Sequence, residues 1–182
     1  MAKIGIIIGS IREGRLGEVV GCWVEGIARD RAEQGVDYEL IDLAAFNVPL
    51  LTAATVPDAA NKQYDDANVQ AWSQAIDSCD AFVFVTPEYN HSVPGAFKNA
   101  YDSLGAEWAG KPVAFVGYGA SGGIRAVEAW RLVVSNFQMA QLRNQLEVTI
   151  FSDFTDGEFT PGEDKIQRMD NILAGLEDAL GK

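Results

Sequence analysis

Three short stretches hold most of the residues able to bind or react. The first, Gly9-Ser-Ile-Arg-Glu-Gly-Arg-Leu-Gly17, leads from an apolar run into a helical pattern. At such a junction free backbone N–H groups and the positive end of a helix meet, which suits a phosphate. Ser10 can add a hydroxyl hydrogen bond, and Arg12 and Arg15 can add forked, charge-assisted ones. A plain strand-to-helix turn with solvated arginines is the competing reading. The stretch lacks the Gly-Lys-[Ser/Thr] ending of a nucleotide-triphosphate loop. The second stretch, Thr86-Pro-Glu-Tyr-Asn-His-Ser-Val-Pro94, is stiffened by a proline near each end and offers Tyr89 as a wall for a flat aromatic ligand. Peptide groups of Glu88 to Asn90 could bond such a ring at its edge. His91 is the sole histidine, open to reading as an acid–base catalyst or as a surface hydrogen-bonding residue. It has no evident carboxylate or thiol partner, and no ligand set for a metal accompanies it. The third stretch, Gly117-Tyr-Gly-Ala-Ser-Gly122, matches G-x-G-x-x-G, but no acidic residue stands at a strand end about 20 positions on, as a dinucleotide fold requires. Its glycines are expected to let backbone approach a planar ligand, with Tyr118, Ser121 and Arg125 as further contacts.

The elements that must position these loops follow from hydrophobic spacing. Ile4 to Ile8 and Ala81 to Val85 are continuous apolar runs, as strands buried on both faces are. A fourth strand is expected at Val113 to Val116, a more polar edge strand at Asp37 to Leu43, and a last strand at Glu147 to Phe151. Leu16, Val19, Val20, Trp23, Val24, Ile27 and Ala28 lay an apolar stripe along a helix reaching about Gln34, ended by Gly35. Further helices are expected at about Asp65 to Ser78, around Ala96 to Leu104, from Gly123 to about Ala140, and at about Pro161 to Leu180. Pro49 and Pro57 mark residues 44–64 as an irregular excursion. This alternation predicts one α/β domain over residues 1–182, a three-layer sandwich. Its five-stranded parallel sheet takes the flavodoxin-like order 2-1-3-4-5, with helices on both faces. Such sheets bind ligands at the carboxyl ends of their strands, where the strand order reverses, and all three loops emerge there. Trp108, Tyr101 and Trp130 are open to two readings, subunit interface or helix-to-sheet packing.

The chain has 182 residues, 48% of them hydrophobic, enough for one sizeable core and against disorder. The formal net charge of −12 argues against nucleic acid or an anionic membrane as a partner. The acidity is uneven. Residues 1–31 and 81–145 carry all three loops, and each holds 5 basic against 4 acidic residues. No run approaches the ~20 apolar residues of a membrane span, and the N-terminus does not resemble a signal peptide. A cytoplasmic protein is expected, with Cys22 and Cys79 reduced and buried.

Taken together, Gly9-Ser10 with Arg12 and Arg15, the run from Thr86 through Lys98-Asn-Ala-Tyr-Asp102, and Gly117 to Ala126 resemble the NADPH-dependent FMN reductase family of flavodoxin-like proteins. The resemblance spans nearly the whole chain. It implies FMN, its phosphate on Ser10, Arg12, Arg15 and the Leu16-Gly17 backbone, its ring against Pro87, Glu88, Tyr89 and Asn90, with Tyr118, Ser121 and Gly122 on the third loop. Many family members carry Ser, Thr or Asn where this chain has Arg15, Leu16 and Gly17. The implied reaction passes hydride from NADPH or NADH to FMN and then on to a small-molecule acceptor: a quinone, azo compound, metal oxyanion or free flavin. No catalytic side chain is required, because the cofactor carries the chemistry. A homodimer or homotetramer is implied as well. The alternatives are a non-enzymatic flavodoxin-like electron carrier, which the acidic surface suits, and a flavin-free nicotinamide-dependent dehydrogenase.

Overall fold

The computed structural model describes residues 1–29, 31 and 35–181. Five parallel strands, β1 (Ala2–Ile8), β2 (Val36–Asp42), β3 (Ala81–Pro87), β4 (Pro112–Gly119) and β5 (Ala140–Thr149), lie in the order β2-β1-β3-β4-β5. The expected topology is therefore the observed one. Period-2 alternation divides the strand side chains between two cores. Ile4, Ile6, Val83, Val85, Ala114 and Val116 face α1 (Gly17–Arg29) and the C-terminal helix α6 (Glu163–Ala179). Ile7, Phe82, Phe84, Val113 and Phe115 face α3 (Ala67–Asp77), α4 (Gly95–Asp102) and α5 (Ile124–Val134). Trp108, Tyr101 and Trp130 belong to this second core and are buried, so helix-to-sheet packing is their role. The Trp130 indole stands 4.6 Å from the Phe97 ring and donates to Thr86 Oγ1 at 3.0 Å.

Several boundaries differ from those expected. The helix after the third loop stops at Val134, a 3-10 turn follows over Ser135–Phe137, and β5 begins at Ala140 rather than Glu147 and ends at Thr149 rather than Phe151. β5 is an edge strand, so Gln141, Arg143, Asn144 and Gln145 mask it as polar chain. The expected end of the first helix near Gln34 lies outside the described residues. Cys22 is exposed, not buried: Glu18, Cys22, Glu25 and Arg29 share the outer side of α1, while Val20, Val24 and Ala28 face the sheet. Cys79 is buried, and both thiols are free. The excursion after β2 contains a short helix α2 (Leu43–Phe46) and a 3-10 turn at Pro57–Ala59. A hairpin of β6 (Phe154–Thr155) and β7 (Glu158–Phe159), unforeseen from spacing, packs its Phe159 ring edge-on against Trp23 at 5.4 Å. Among the described residues no helix is long and apolar enough to cross a membrane.

A buried carboxylate fastens the excursion. Glu107, fully buried between α4 and β4, accepts from the Tyr64 hydroxyl at 2.9 Å, Ser73 Oγ at 2.6 Å and the Gly105 N–H at 3.0 Å. Burial and this hydrogen bond hold the Tyr64 phenol above its usual pKa, so it remains a donor. Asn99 on α4 adds a second tie, accepting from Leu51 N at 2.9 Å and donating to Pro49 O at 2.8 Å. Glu107→Ala strips two hydroxyls of their acceptor and is expected to cost about 3 kcal/mol. In a chain of this size that lowers Tm by about 6–12 °C. Calorimetry reads the shift, and an unchanged Tm would show that the knot does not carry the excursion.

Candidate functional site

The first loop leaves the sheet immediately after Gly9, whose N–H donates to Val85 O at 2.9 Å. Ser10 is only 1% exposed, and its hydroxyl has no hydrogen-bond partner among the described residues. The Tyr118 hydroxyl, on a side chain 5% exposed at the end of β4, is also without one. The two converge on Gly17, the first residue of α1. A Cβ there would stand 2.5 Å from the Tyr118 oxygen and closer still to Ser10 Oγ. Burial raises the Tyr118 pKa well above the phenol range, so this hydroxyl keeps its proton to donate. Buried polar groups are ordinarily satisfied, so a pair of unsatisfied hydroxyls at a helix N-terminus is a candidate cradle for an anion.

The arginines divide their work. Arg15 is turned inward: its Nη1 donates to Ser10 O at 2.7 Å and its Nη2 pairs with Asp42 at the end of β2. It braces the loop that carries Ser10. Arg12 is exposed, its guanidinium 5.9 Å from the centre of the Tyr89 ring, so it spans the first and second loops. The Leu16 side chain packs on the α1 side of the sheet, and its carbonyl accepts from Val20 N at 3.1 Å.

The second loop is a tight hairpin turn. Tyr89 and Ser92 exchange backbone hydrogen bonds of 3.1 Å, with Asn90 at φ 49° and His91 at φ 66° between them. Positive φ at both central positions is the type I′ geometry. Thr86, held by Trp130 and donating to Pro87 O at 3.1 Å, anchors the turn to the core. The Glu88 N–H is engaged by Tyr118 O at 3.2 Å and the Tyr89 N–H by Ser92 O. Among the described residues, the Asn90 and His91 N–H groups have no partner. His91 sits exposed at the tip.

In the third loop, Gly117, Gly122 and Gly123 are required where the chain folds onto itself. A Cβ on Gly123, at φ 68°, would stand 2.5 Å from Tyr118 N, and one on Gly122 would stand 2.7 Å from Glu147 Cβ. Gly119 alone faces the second loop, with Glu88 Cβ 3.8 Å from its would-be Cβ. Ser121 is exposed and accepts from Arg125 Nη2 at 3.2 Å. Arg125 also pairs with Glu88, its Nε 2.8 Å from Oε1.

The structure thus gathers Ser10, Gly17 and Tyr118 around one point, brings Arg12 over Tyr89, and ties Glu88 through Arg125 to Ser121. Pro87 is buried at the end of β3, Asn90 is exposed at the turn, and Gly122 is buried against Glu147. Spacing had not revealed Asp42, the partner of Arg15. Its only signal was an acidic residue at the carboxyl end of an edge strand. A cavity of about 570 Å³ lies in the excursion, lined among others by Pro49, Leu50, Leu51, Pro57, Tyr64 and Val69, and shares no residue with the three loops.

The chain can be compared with known proteins. The sequence description of the NADPH-dependent FMN reductase family matches residues 2–153. An NAD(P)H-dependent FMN reductase of Nectria sp. is 41% identical over 128 residues, covering 69% of this chain and 64% of that protein. A quinone reductase of Escherichia coli strain K12 is 34% identical over 115 residues, covering 61% of this chain and 56% of that protein. The match therefore spans less than two thirds of either relative. The solved structure of the flavoenzyme NAD(P)H:(acceptor) oxidoreductase FerB from Paracoccus denitrificans superposes with a TM-score of 0.73 at 22% identity, covering 98% of this chain and 96% of that one. At that identity the likeness concerns the fold.

Tyr118→Phe tests the cradle. Removing a buried, unpaired hydroxyl is expected to stabilise the ligand-free protein by about 1 kcal/mol. It should also shrink the Tm increase produced by millimolar inorganic phosphate. A variant that keeps the whole phosphate response would place the anion elsewhere.

Proposed function

Because the chain belongs to the NADPH-dependent FMN reductase family, we propose that it binds FMN across the three loops and uses it to reduce a small-molecule acceptor at the expense of NADPH or NADH. The observation that carries this reading is the pair of buried, unpartnered hydroxyls of Ser10 and Tyr118 at the start of α1. A phosphate monoester supplies the acceptor oxygens that both lack. When bound, FMN supplies the hydride chemistry, accepting from a nicotinamide and giving to a second molecule. The remaining work belongs to the chain.

Ser10, Tyr118 and the first N–H groups of α1, Gly17 included, hold the phosphate. Arg15 keeps Ser10 in place through its carbonyl, and Arg12 adds positive charge at the open side while covering Tyr89. Pro87, Glu88, Tyr89 and Asn90 form one wall of the ring slot, and Ser121 and Gly122 form the other. The unpaired N–H groups of Asn90 and His91 are donors for the polar edge of the ring. A site that takes nicotinamide and acceptor in turn has to stay open on one side.

The acceptor we propose is a quinone, with azo compounds, metal oxyanions and free flavin as others in the same electron-accepting role. The family membership supports the class, and we assign residues 44–64 to admitting the acceptor. Leu50, Leu51 and Val56, exposed on that excursion, support assembly as a homodimer or homotetramer. Light scattering reads the oligomer mass.

Anaerobic mixing of the FMN-loaded protein with NADPH or NADH tests the function. Loss of the visible flavin absorbance within seconds, and its return on adding a quinone, is expected. No bleaching with either nicotinamide overturns the reading in favour of an electron carrier that docks on protein partners. His91→Gly is expected to leave the bleaching rate within about twofold and Tm unchanged or slightly raised, since glycine adopts the positive φ of this position freely. A hundredfold slower reaction would instead make His91 an acid–base group.

A further inference from the structure

Helix α5 begins at Gly123, which has no side chain to cap it. The cap comes from another loop. Glu88 Oε2 accepts from Arg125 N, in the first turn of α5, at 3.0 Å, while Oε1 takes Arg125 Nε at 2.8 Å. The Glu88 N–H is meanwhile bonded to Tyr118 O at 3.2 Å, and Arg125 Nη2 reaches Ser121 Oγ at 3.2 Å. The Glu88 side chain is 9% exposed and that of Arg125 43%, so the carboxylate is set in the structure and the guanidinium closes over it from the solvent side. One residue of the second loop thereby grips the backbone, the helix start and a side chain of the third.

From this geometry we propose that Glu88 is a positioning residue. Clamped by Arg125, it fixes the separation of the two loops that flank the flavin ring and cancels the arginine's charge beside it. The proposal rests on the ring lying between these loops. It follows that the two members of the pair act on the ring in opposite electrostatic senses and on the slot in the same geometric sense. Without Glu88 an uncompensated guanidinium faces the slot, and because reduction adds negative charge to the ring, a cation nearby favours the reduced form. Without Arg125 an uncompensated carboxylate disfavours it. Either loss frees the third loop from the second.

The test uses the FMN-loaded protein with Glu88→Gln, Arg125→Gln and the double variant. It measures FMN affinity by fluorescence titration and the midpoint potential of bound FMN by dye equilibration. Each single change is expected to weaken FMN binding, on the order of tenfold for a charge-assisted pair. Glu88→Gln is expected to raise the potential, Arg125→Gln to lower it, and the double variant to return it close to that of the unaltered protein. Both shifts should shrink with added salt. A structural loosening alone would move the two potentials the same way, so shifts of one sign, or none, overturn the proposal. Should Glu88→Gln fail to fold, the downward shift in Arg125→Gln decides the matter, since that residue is largely at the surface. Failure of the unaltered protein to bind FMN would overturn the functional reading instead, which keeps the two outcomes apart.

Discussion

β1 is hydrogen-bonded on both sides, to β2 and to β3, and the sheet grows outward from it in both directions. At its end the chain must leave the buried part of the strand and reach α1 within one loop, residues 9–16. The backbone there has no further ladder to join, and the helix above presents N–H groups with no partners of their own. Satisfying those groups is the constraint on which the rest of the structure depends. Tyr118 approaches this exit from the end of β4, past the intervening end of β3. Arg15 approaches from the opposite side and is tied to β2 through Asp42. Groups at or just beyond the ends of β1, β2 and β4 thus meet around this exit.

The same constraint bears on how a chain of net charge −12 can take the FMN we propose for it. The total hardly matters at the site, because charges more than a Debye length away are screened while backbone N–H groups and buried hydroxyls act at contact distance. Of the two arginines in the first loop, the buried one neutralises an acidic residue and holds geometry, and only the exposed one adds positive potential. The phosphate binding we propose therefore depends on pre-set donors more than on net attraction.

The legible parts of this fold were those where one physical demand dominates the local composition. β1 and β3 are buried on both faces and are written as unbroken apolar runs. The helical stripes of α1 and α5 follow from burial on one face. β5 escaped because an edge strand is half solvated, and its Gln and Arg residues resemble loop. The hairpin at Phe154 to Phe159 escaped because two-residue strands carry no period. In the site, residue types identified Ser10, Tyr89 and the third loop, but not what each side chain faces. The pairing of Glu88 with Arg125 joins positions 37 residues apart, and the inward turn of Arg15 depends on Asp42 on another strand. Neither leaves a mark on local spacing, since both arise only when the loops are brought to one edge of the sheet.

The excursion after β2 has a further significance. It is pinned by Asn99, by Glu107 through Tyr64, and at Asp58, whose backbone lies against Gly105 so closely that a Cβ there would stand 2.6 Å from Asp58 Cα. Between the pins, residues such as Thr52 to Val56 carry no part of the sheet or of either core. A segment fastened only at fixed points behaves as an interchangeable cassette. Under the function we propose, its sequence and length can drift and alter which molecules are admitted, while the elements that would hold phosphate and ring stay as they are. Acceptor preference and cofactor retention would then fall to separate parts of the chain.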